Sequence, residues 1–512
     1  MLRSSGIVMP ISALPGPFGI GCLGEEAIAF AKKIRDAGFS YWQILPFGPT
    51  GSGDSPYQSF STFAGNAYFI DLRPLHAAGW LSDDELSMAE HEFLEEVDGN
   101  LRSRVDYGWL WDTRLPLLRT VCSRIDAETK AEVWQFAEAQ SWLSDYADYM
   151  TIKAAHEHEP WWQWPRELRL KEEDAVRSFL LDKQDERFLY MFVQWLFFEQ
   201  WLALKQEVNT LGVSIIGDIP IYVASDSCDV WANRQYFEFD DEGNQLRGAG
   251  VPPDIYSPYG QLWGNPLYRW DLLQEDGYRW WIERIRAAVD TCDIVRLDHF
   301  RGFESFWAVN AGATTAQFGV WEKGPAMDLF NQILRAFPLA PFIVEDLGFI
   351  TDEVRVFLSQ TGLPGMKVLQ FHFDADDELV VRPHGFEENL VAYASTHDSD
   401  TLFGWVEKLE DEQWRLVRDY SGANQRDRHD RGPQSRIIRA MLRALWQTPS
   451  TLVMVQLQDV LGQGNDMRTN VPGVPEGNWR IRFTEEDIRQ IDVRYYSRLN
   501  EVFQRALPAL SN

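Results

Sequence analysis

The sequence predicts an α/β protein, a (β/α)8 TIM barrel that is interrupted by inserted subdomains. Short apolar or β-branched runs that end in polar residues recur along the chain, with helical patterns between them. Eight such runs can be counted, which is the number of strands in this barrel. The chain also ends soon after the eighth run and its helix, so no separate C-terminal β domain is expected.

The predicted strands follow one another unevenly, which indicates insertions within a single catalytic domain over 1–512. A tract at about 75–205 is rich in helix formers and too long for one crossover helix, so it predicts a helical insertion. Residues 223–277, rich in Gly, Pro and aromatics, predict an active-site loop subdomain, and 302–330 a small insertion. The strands are predicted, in chain order, in GIVMPIS (6–12), YWQILP (41–46), VSIIGDIPI (213–221), DIVRLDHF (293–300), PFIVEDLG (341–348), GMKVLQFHF (365–373), NLVAYASTHD (389–398) and TLVMVQLQD (451–459).

The charge balance argues against two classes of partner. Lys and Arg total 48 against 77 Asp and Glu, so the formal net charge is −29. Such a field repels phosphate backbones and anionic lipids, so neither nucleic acid nor membrane is expected as a partner.

The cysteines and the N-terminus indicate a cytoplasmic protein. Four cysteines lie far apart without CxxC spacing, which fits reduced thiols better than disulfides or a zinc site. Prolines and glycines break the uncharged run at 5–24, so it reads as a strand and a loop rather than a signal peptide. No other run is apolar enough for a membrane span.

Polar residues end most of the predicted strands. Because the active site of such a barrel lies at the C-terminal ends of its strands, we expect these side chains to converge on one face. They are Asp218 after the third strand, Asp298 after the fourth, Glu345 after the fifth, Asp398 after the seventh, and Gln458 and Asp459 after the eighth.

The fourth strand contains an arginine and an aspartate two positions apart, Arg296 and Asp298. Side chains at this spacing share a face, so both should point into the barrel mouth while Val295 and Leu297 face the helices. A guanidinium offsets the cost of burying the carboxylate and holds it ionised. An ion pair that merely closes the barrel is the alternative explanation for this pair taken alone.

Glu345 follows four apolar residues, a dry setting that raises the pKa of a carboxyl and suits a proton donor. An ionised Asp298 beside a protonated Glu345 is the pairing of a retaining glycosidase, whose carboxyls lie about 5 to 5.5 Å apart. Neighbouring parallel strands are about 4.8 Å apart, which fits. Asp398 adds a third carboxylate, suited to gripping sugar hydroxyls.

Other catalytic patterns are weaker. HEH at 156–158 lacks the HExxH spacing, and the acidic runs at 240–244 and 374–378 favour solvated turns over calcium loops. No GxSxG, Walker A or GxGxxG motif occurs in a strand-turn-helix setting. We therefore expect no metal and no organic cofactor.

Three motifs, RLDHFRGF, VEDLG and THDSDT, resemble the catalytic regions of the α-amylase superfamily. Longer blocks narrow the resemblance to the 4-α-glucanotransferases, or amylomaltases, of glycoside hydrolase family 77, over roughly residues 1–72 and 210–485. The blocks are SGDSPYQSFSTFAGN (51–66 region), GDIPIYVASDSCDVWAN (217–233), AGVPPDIYSPYGQLWGNPLY (249–268), LPGMKVLQFHFD (363–374) and TNVPGVPEGNW (469–479).

The resemblance implies a transferase that moves α-1,4-glucan segments to the 4-OH of an acceptor by retaining double displacement, with maltose, maltotriose and maltodextrins as substrates. It implies Asp298 as nucleophile, Glu345 as acid/base and Asp398 as transition-state stabiliser. An α-1,4-glucan hydrolase and a non-catalytic glucan-binding protein are the alternatives. The residues that it implies for substrate binding are Tyr57, Asp254, Trp263, Arg296, His397, Asp374 and Asn470.

Three positions depart from the family pattern. Ser399 stands where the family usually has asparagine, Thr469 where methionine is common, and PHGF at 383–386 replaces a PHNY-like stretch. None of these removes a catalytic group.

Overall fold

A computed structural model describes residues 2–253, 257–374, 380–474 and 476–506. Over these residues the strands are, in chain order, β1 (Ser4–Val8), β2 (Tyr41–Gln43), β3 (Phe93–Val97), β4 (Asn100–Arg104), β5 (Ser214–Ile219), β6 (Arg247–Val251), β7 (Gln261–Pro266), β8 (Ile294–Leu297), β9 (Ser305–Asn310), β10 (Gly319–Lys323), β11 (Phe342–Val344), β12 (Gly365–Val368), β13 (Leu390–Tyr393) and β14 (Leu452–Gln456).

The α-helices of the same residues are α1 (Glu25–Asp36), α2 (Arg73–Ala77), α3 (Asp83–Met88), α4 (Tyr107–Arg124), α5 (Ala127–Ala139), α6 (Leu143–Ala155), α7 (Arg166–Arg169), α8 (Glu173–Leu180), α9 (Gln184–Thr210), α10 (Cys228–Ala232), α11 (Trp270–Glu275), α12 (Arg279–Thr291), α13 (Ala326–Ala336), α14 (Asp352–Thr361), α15 (Leu402–Lys408), α16 (Asp411–Ser421), α17 (Arg436–Gln447), α18 (Leu457–Val460), α19 (Glu485–Arg489) and α20 (Val493–Val502).

The eight predicted runs form one parallel sheet, which confirms the predicted fold class. Its strand order is β11-β8-β5-β2-β1-β14-β13-β12, so each barrel strand lies beside its neighbours in the chain and β1 pairs with β14. The two ends of this order, β11 and β12, meet at a seam. There Val344 N donates to Pro364 O at 3.0 Å, and Met366 N donates to the Asp346 carboxylate at 2.6 Å.

Side chains alternate between the barrel interior and the helix layer, as strand geometry requires. Ile294 belongs to the interior cluster, whereas Val295 and Leu297 belong to the larger cluster between strands and helices, as predicted. The interior is filled so tightly that Gly6 has no room for a side chain. A Cβ there would lie 2.6 Å from the sulfur of Met454.

The chain between β2 and β5 is mostly helical. Helix α9 packs against α1, α4, α5 and α6 and also against β5, so it joins this segment to the barrel wall. The antiparallel hairpin of β3 and β4 lies within the same tract, with Val97 paired to Asn100. The sequence analysis did not anticipate this hairpin, because the two strands are short and half exposed.

A second sheet joins two segments that are separated by β8. Its strands are antiparallel in the order β10-β9-β6-β7, so residues 223–277 and 302–330 build one layer. Arg247 of β6 forms ion pairs with Glu238 at 2.7 Å and with Glu322 of β10. The two segments flank the loop after β8 and are held together beside the barrel mouth.

None of the helices in the described ranges combines the length and the apolar character that a membrane crossing requires.

Candidate active site

Asp298 lies directly after β8 and faces Arg296, as the strand alternation predicts. Nη1 of Arg296 is 2.9 Å from Oδ1 of Asp298, and it also donates to both carboxylate oxygens of Asp218 at 2.7 Å. The Arg296 side chain is buried, so two carboxylates share one desolvated guanidinium. The sequence predicted the contact with Asp298 but not the one with Asp218, which comes from β5.

Glu345 lies on the neighbouring strand at the height of Asp298. The register pairs Val344 with Leu297, and Glu345 N donates to Leu297 O at 2.9 Å. Its carboxylate accepts hydrogen bonds from the backbone N–H of His299 at 2.8 Å and of Leu347 at 2.6 Å. His299 takes a left-handed backbone conformation, with φ of 50°, as the chain turns out of β8.

Burial and the negative charge of Asp298 together raise the pKa of Glu345 to about 8, against the opposing effects of Arg296 and the two backbone donors. The Glu345 carboxyl therefore keeps its proton at neutral pH. With Glu345 protonated and Asp298 bound to Arg296, the two carboxyls are suited to different roles, Glu345 to that of an acid and Asp298 to that of a nucleophile.

A chain of hydrogen bonds connects the third and seventh barrel strands. The Tyr57 hydroxyl donates to Asp218 at 2.8 Å and lies 3.0 Å from Nε2 of His397. Because that hydroxyl proton goes to Asp218, the N–H of His397 is the donor in the second bond. Nε2 of His397 is also 3.3 Å from Asp398.

The pKa values of His397 and Asp398 are shifted in the directions that favour opposite charges on the two side chains. Burial acts to lower the pKa of His397, but the charge of Asp398 and its hydrogen bond outweigh this, so the pKa lies above its usual value. The pKa of Asp398 is lowered to about 2, because His397 and Asn470 outweigh the effect of burial. Asn470 donates to Oδ1 of Asp398 at 2.6 Å, and Arg468 donates to the Asp398 backbone carbonyl at 2.7 Å.

The remaining predicted binding residues lie at different places around this centre. The Trp263 ring of β7 packs edge to face on His299, with centroids 4.8 Å apart. Asp374 is exposed in the loop after β12, where its backbone carbonyl accepts from Arg382 at 3.1 Å. Asp254 lies outside the described residues.

The Trp479 ring forms one wall of the site. This residue ends the block TNVPGVPEGNW, but it was not predicted as a site residue. Its ring lies 5.6 Å from Tyr57 and 5.9 Å from His397, and the Tyr57 and His397 rings are stacked at 5.4 Å. The signal was an aromatic residue at the end of a motif block. Flat rings of this kind are suited to sugar faces.

Two of the six strand-end residues do not reach the mouth. Gln458 and Asp459 are buried in the short helix α18, where Gln458 donates to Oγ1 of Thr469 at 3.1 Å. The carboxylate of Asp459 accepts from the Ser395 hydroxyl and from Leu402 N at 2.7 Å. The prediction of convergence was wrong for this pair because α18 begins at Leu457, so strand alternation does not apply to them, and both side chains bond to neighbouring loops.

Within the residues that the structure describes, no group of three or more His, Cys, Asp or Glu side chains is arranged to hold a metal ion. His156 of the HEH run uses Nδ1 against the carbonyl of Ile152 at 2.9 Å. Asp240 of the first acidic run accepts from the backbone of Glu242 and Asn244, which closes a turn. The absence of a cofactor stays a prediction.

Comparison with known proteins identifies the family. Residues 9–487 match glycoside hydrolase family 77, described as 4-alpha-glucanotransferase. The chain belongs to the 4-alpha-glucanotransferase family. Two relatives of that name are 42% identical over 94% of both chains, from Thermus thermophilus, and 41% identical over 95% of this chain and 94% of the relative, from Streptococcus pneumoniae serotype 4.

The solved structure of an amylomaltase matches this 4-alpha-glucanotransferase over almost its whole length. The enzyme from Streptococcus agalactiae, in complex with acarbose, superposes with a TM-score of 0.92 at 34% identity, covering 99% of this chain and 100% of that one. The amylomaltase from Corynebacterium glutamicum shares the fold, with a TM-score of 0.76 at 20% identity over 98% of this chain and 75% of that one. The protein is a glycosyltransferase of the 4-alpha-glucanotransferase type, and glucans fit its family.

Proposed function

We propose that this 4-alpha-glucanotransferase moves α-1,4-glucan segments by retaining double displacement, with Asp298 as nucleophile, Glu345 as acid/base and Asp398 as transition-state stabiliser. One observation carries the proposal. Glu345, with its pKa raised to about 8, stands beside Asp298, which Arg296 holds at 2.9 Å. The neighbouring strand positions fit the carboxyl separation of about 5 to 5.5 Å that retaining enzymes use.

In the first step, Glu345 gives its proton to the glycosidic oxygen while a carboxylate oxygen of Asp298 attacks the anomeric carbon. The bond to the leaving glucan breaks, and the donor segment becomes an ester of Asp298. Asp298 donates its electron pair along the direction that Arg296 fixes. Asp398 offers a negative charge to the oxocarbenium ion that develops between these two states.

In the second step, the 4-OH of an acceptor sugar replaces the leaving glucan. Glu345, now ionised, takes the hydroxyl proton as the oxygen attacks the anomeric carbon and releases Asp298. Water competes for the same carbon, so transfer requires a bound acceptor and a covered site. We propose that the 249–268 segment, which contains Asp254 and Trp263, supplies this cover.

Sugar binding is assigned to the aromatic and polar groups around the carboxylates. We propose that Tyr57 provides a stacking surface and that His397, Asn470 and Asp374 contact sugar hydroxyls. That the Streptococcus agalactiae amylomaltase was solved in complex with acarbose supports an oligosaccharide-like ligand for this protein. Maltose, maltotriose and longer maltodextrins are the proposed substrates.

We propose that residues 1–512 work as one catalytic domain in the cytoplasm, with the inserted segments 75–205, 223–277 and 302–330 shaping the cleft. The four cysteines, Cys22, Cys122, Cys228 and Cys292, are free and buried, which supports a reducing compartment. The second sheet supports a single unit, because it joins two of the inserted segments.

Incubation with maltotriose tests the function. Transfer yields glucose together with maltodextrins longer than the substrate, resolved by chromatography. Hydrolysis yields only shorter products, and this result would replace the transferase by a hydrolase. Binding of maltodextrin without any released glucose would instead indicate a glucan-binding protein.

A further inference from the structure

Asp459 is a completely buried carboxylate that the proposed chemistry does not use. It lies in α18, immediately after β14, and its residue is 0% exposed. Burying a charge of this kind is costly unless donors surround it. Its two oxygens accept from two points of the chain, the hydroxyl of Ser395 and the backbone N–H of Leu402 at 2.7 Å.

These two points are the ends of the turn that carries Asp398 and His397. Ser395 comes shortly after β13, and Leu402 is the first residue of α15. The Asp459 carboxylate therefore links the first residue of the turn, Ser395, to its last residue, Leu402. Because Leu402 N is one of the N–H groups that a helix leaves without an intrahelical partner, the bond also fixes where α15 begins.

Other side chains from the β14 end support the same turn. Gln456 donates from Nε2 to the Ser395 hydroxyl at 2.6 Å and to the Thr396 carbonyl at 2.9 Å. Asn465 accepts from Thr401 N at 3.1 Å. Both flanks of the turn are thus tied to the eighth strand and the residues that follow it.

Asp398 itself depends on this support. Its side chain is 51% exposed and contacts His397, which belongs to the same turn. From outside the turn, Asn470 bonds to its carboxylate and Arg468 to its backbone carbonyl. Among the three supporting side chains, Gln456 bonds to the first part of the turn and Asn465 to its last part. Asp459 bonds to both ends and joins them to the helix that follows the last barrel strand.

We propose that Asp459 is a positioning residue for glucan transfer, which places Asp398 and His397 by holding both ends of the 395–402 turn. The inference rests on the proposed function, since it assigns the turn its role in that reaction. It predicts that kcat depends on the hydrogen bonds of Asp459 and not on its charge.

The test compares Asp459→Ala and Asp459→Asn in maltotriose disproportionation. The alanine variant loses both acceptors, and kcat should fall roughly tenfold to hundredfold with little change in KM, the effect of displacing a group by about 1 Å. The asparagine variant keeps an acceptor for Leu402 N and gains a donor for Ser395. It should retain kcat within roughly threefold.

Asn500→Ala is the matched control for lost stability alone. Asn500 is equally buried and makes three side-chain hydrogen bonds, to Ser5, Trp446 and Ala37, next to the N-terminal part of β1. It should lower Tm at least as much as Asp459→Ala and leave kcat unchanged. A fall of kcat in both variants in proportion to Tm would overturn the proposal.

Two further readouts keep the test decisive. If Asp459→Ala does not fold, Ser395→Ala removes one of the two bonds to Asp459, together with the bond from Gln456, and leaves the bond from Leu402 N in place. In that variant kcat should fall by roughly threefold or more, and an unchanged kcat refutes the idea. A crystal structure of Asp459→Ala should show the Asp398 carboxylate displaced from its place in the parent protein; an unmoved turn refutes it without reference to activity. Loss of transfer in the parent protein would count against the proposed function instead.

Discussion

Replacing Glu345 by glutamine should have opposite effects on activity and on stability. Glu345→Gln keeps the shape of the side chain and one acceptor oxygen, so it retains one of the two bonds from the N–H groups of His299 and Leu347, but it has no acidic proton to give. A general acid typically contributes about 10² to 10⁴ in rate, or roughly 3 to 5.5 kcal/mol of barrier. We expect maltotriose turnover to fall by that factor.

The stability effect follows from the direction of the pKa shift. The pKa of Glu345 rises from an ordinary 4.5 to about 8, so the folded protein holds a proton that the unfolded chain has lost between these values. Folding stability therefore falls as pH rises from about 4.5 to about 8. A pKa difference of about 3.5 corresponds to roughly 5 kcal/mol of folding free energy, and this is the largest loss that the titration of Glu345 can cause above pH 8.

The assay is a pair of pH series, one of turnover and one of Tm, for the parent protein and for Glu345→Gln. At pH 5 the variant should unfold at a slightly lower temperature, because it lacks one of the two acceptors. At pH 8 to 9 the variant should be the more stable. The parent protein should lose kcat/KM as pH rises through about 8, because the acid becomes ionised. A variant that is less stable than the parent at every pH, or that keeps turnover within about threefold, would refute the reasoning.

Three further substitutions test the neighbouring groups. Asp298→Asn should lower turnover by roughly 10⁴-fold or more with Tm retained, and unchanged activity would contradict the nucleophile assignment. Tyr57→Phe keeps the ring but removes the 2.8 Å bond to Asp218, so kcat/KM should fall roughly tenfold or more, and an unchanged kcat/KM would contradict a role for the hydroxyl. Asn470→Ala removes a donor that lowers the pKa of Asp398, so the acidic limb of the kcat/KM profile should move to higher pH, and an unmoved limb argues against this coupling.

The barrel could be predicted because its strands are short, apolar and ended by polar residues. Each of the eight runs overlaps one parallel strand, although the strands stop earlier than the runs. Phe342–Val344 ends just before Glu345, for example, because the acidic side chain marks where the chain leaves the sheet. The alternation of Arg296 with Leu297 also gave the correct faces from spacing alone.

Long-range pairing could not be predicted in the same way. The strands β6 and β9 pair across 50 or more residues of chain, and their sequences contain no signal for the partner. Asp218 was predicted at the mouth, but its bond to Arg296 depends on the register of β5 against β8. Asp459 was misplaced because a helix begins right after β14, so the alternation of a strand no longer sets the direction of its side chain.

The seam between β11 and β12 lies beside Glu345, the proposed proton donor. Across the described residues no paired register connects β11 to β12, and the seam beside Glu345 is held by the bonds from Val344 N to Pro364 O and from Met366 N to Asp346. The strand before Asp298 is instead paired on both sides, so we expect the barrel wall to part more readily at the seam than at β8. Amide protons around residues 345–348 should exchange with solvent sooner than those of β8. Glu345, which must give and then take back a proton, thus lies where the barrel wall has the fewest backbone bonds between neighbouring strands.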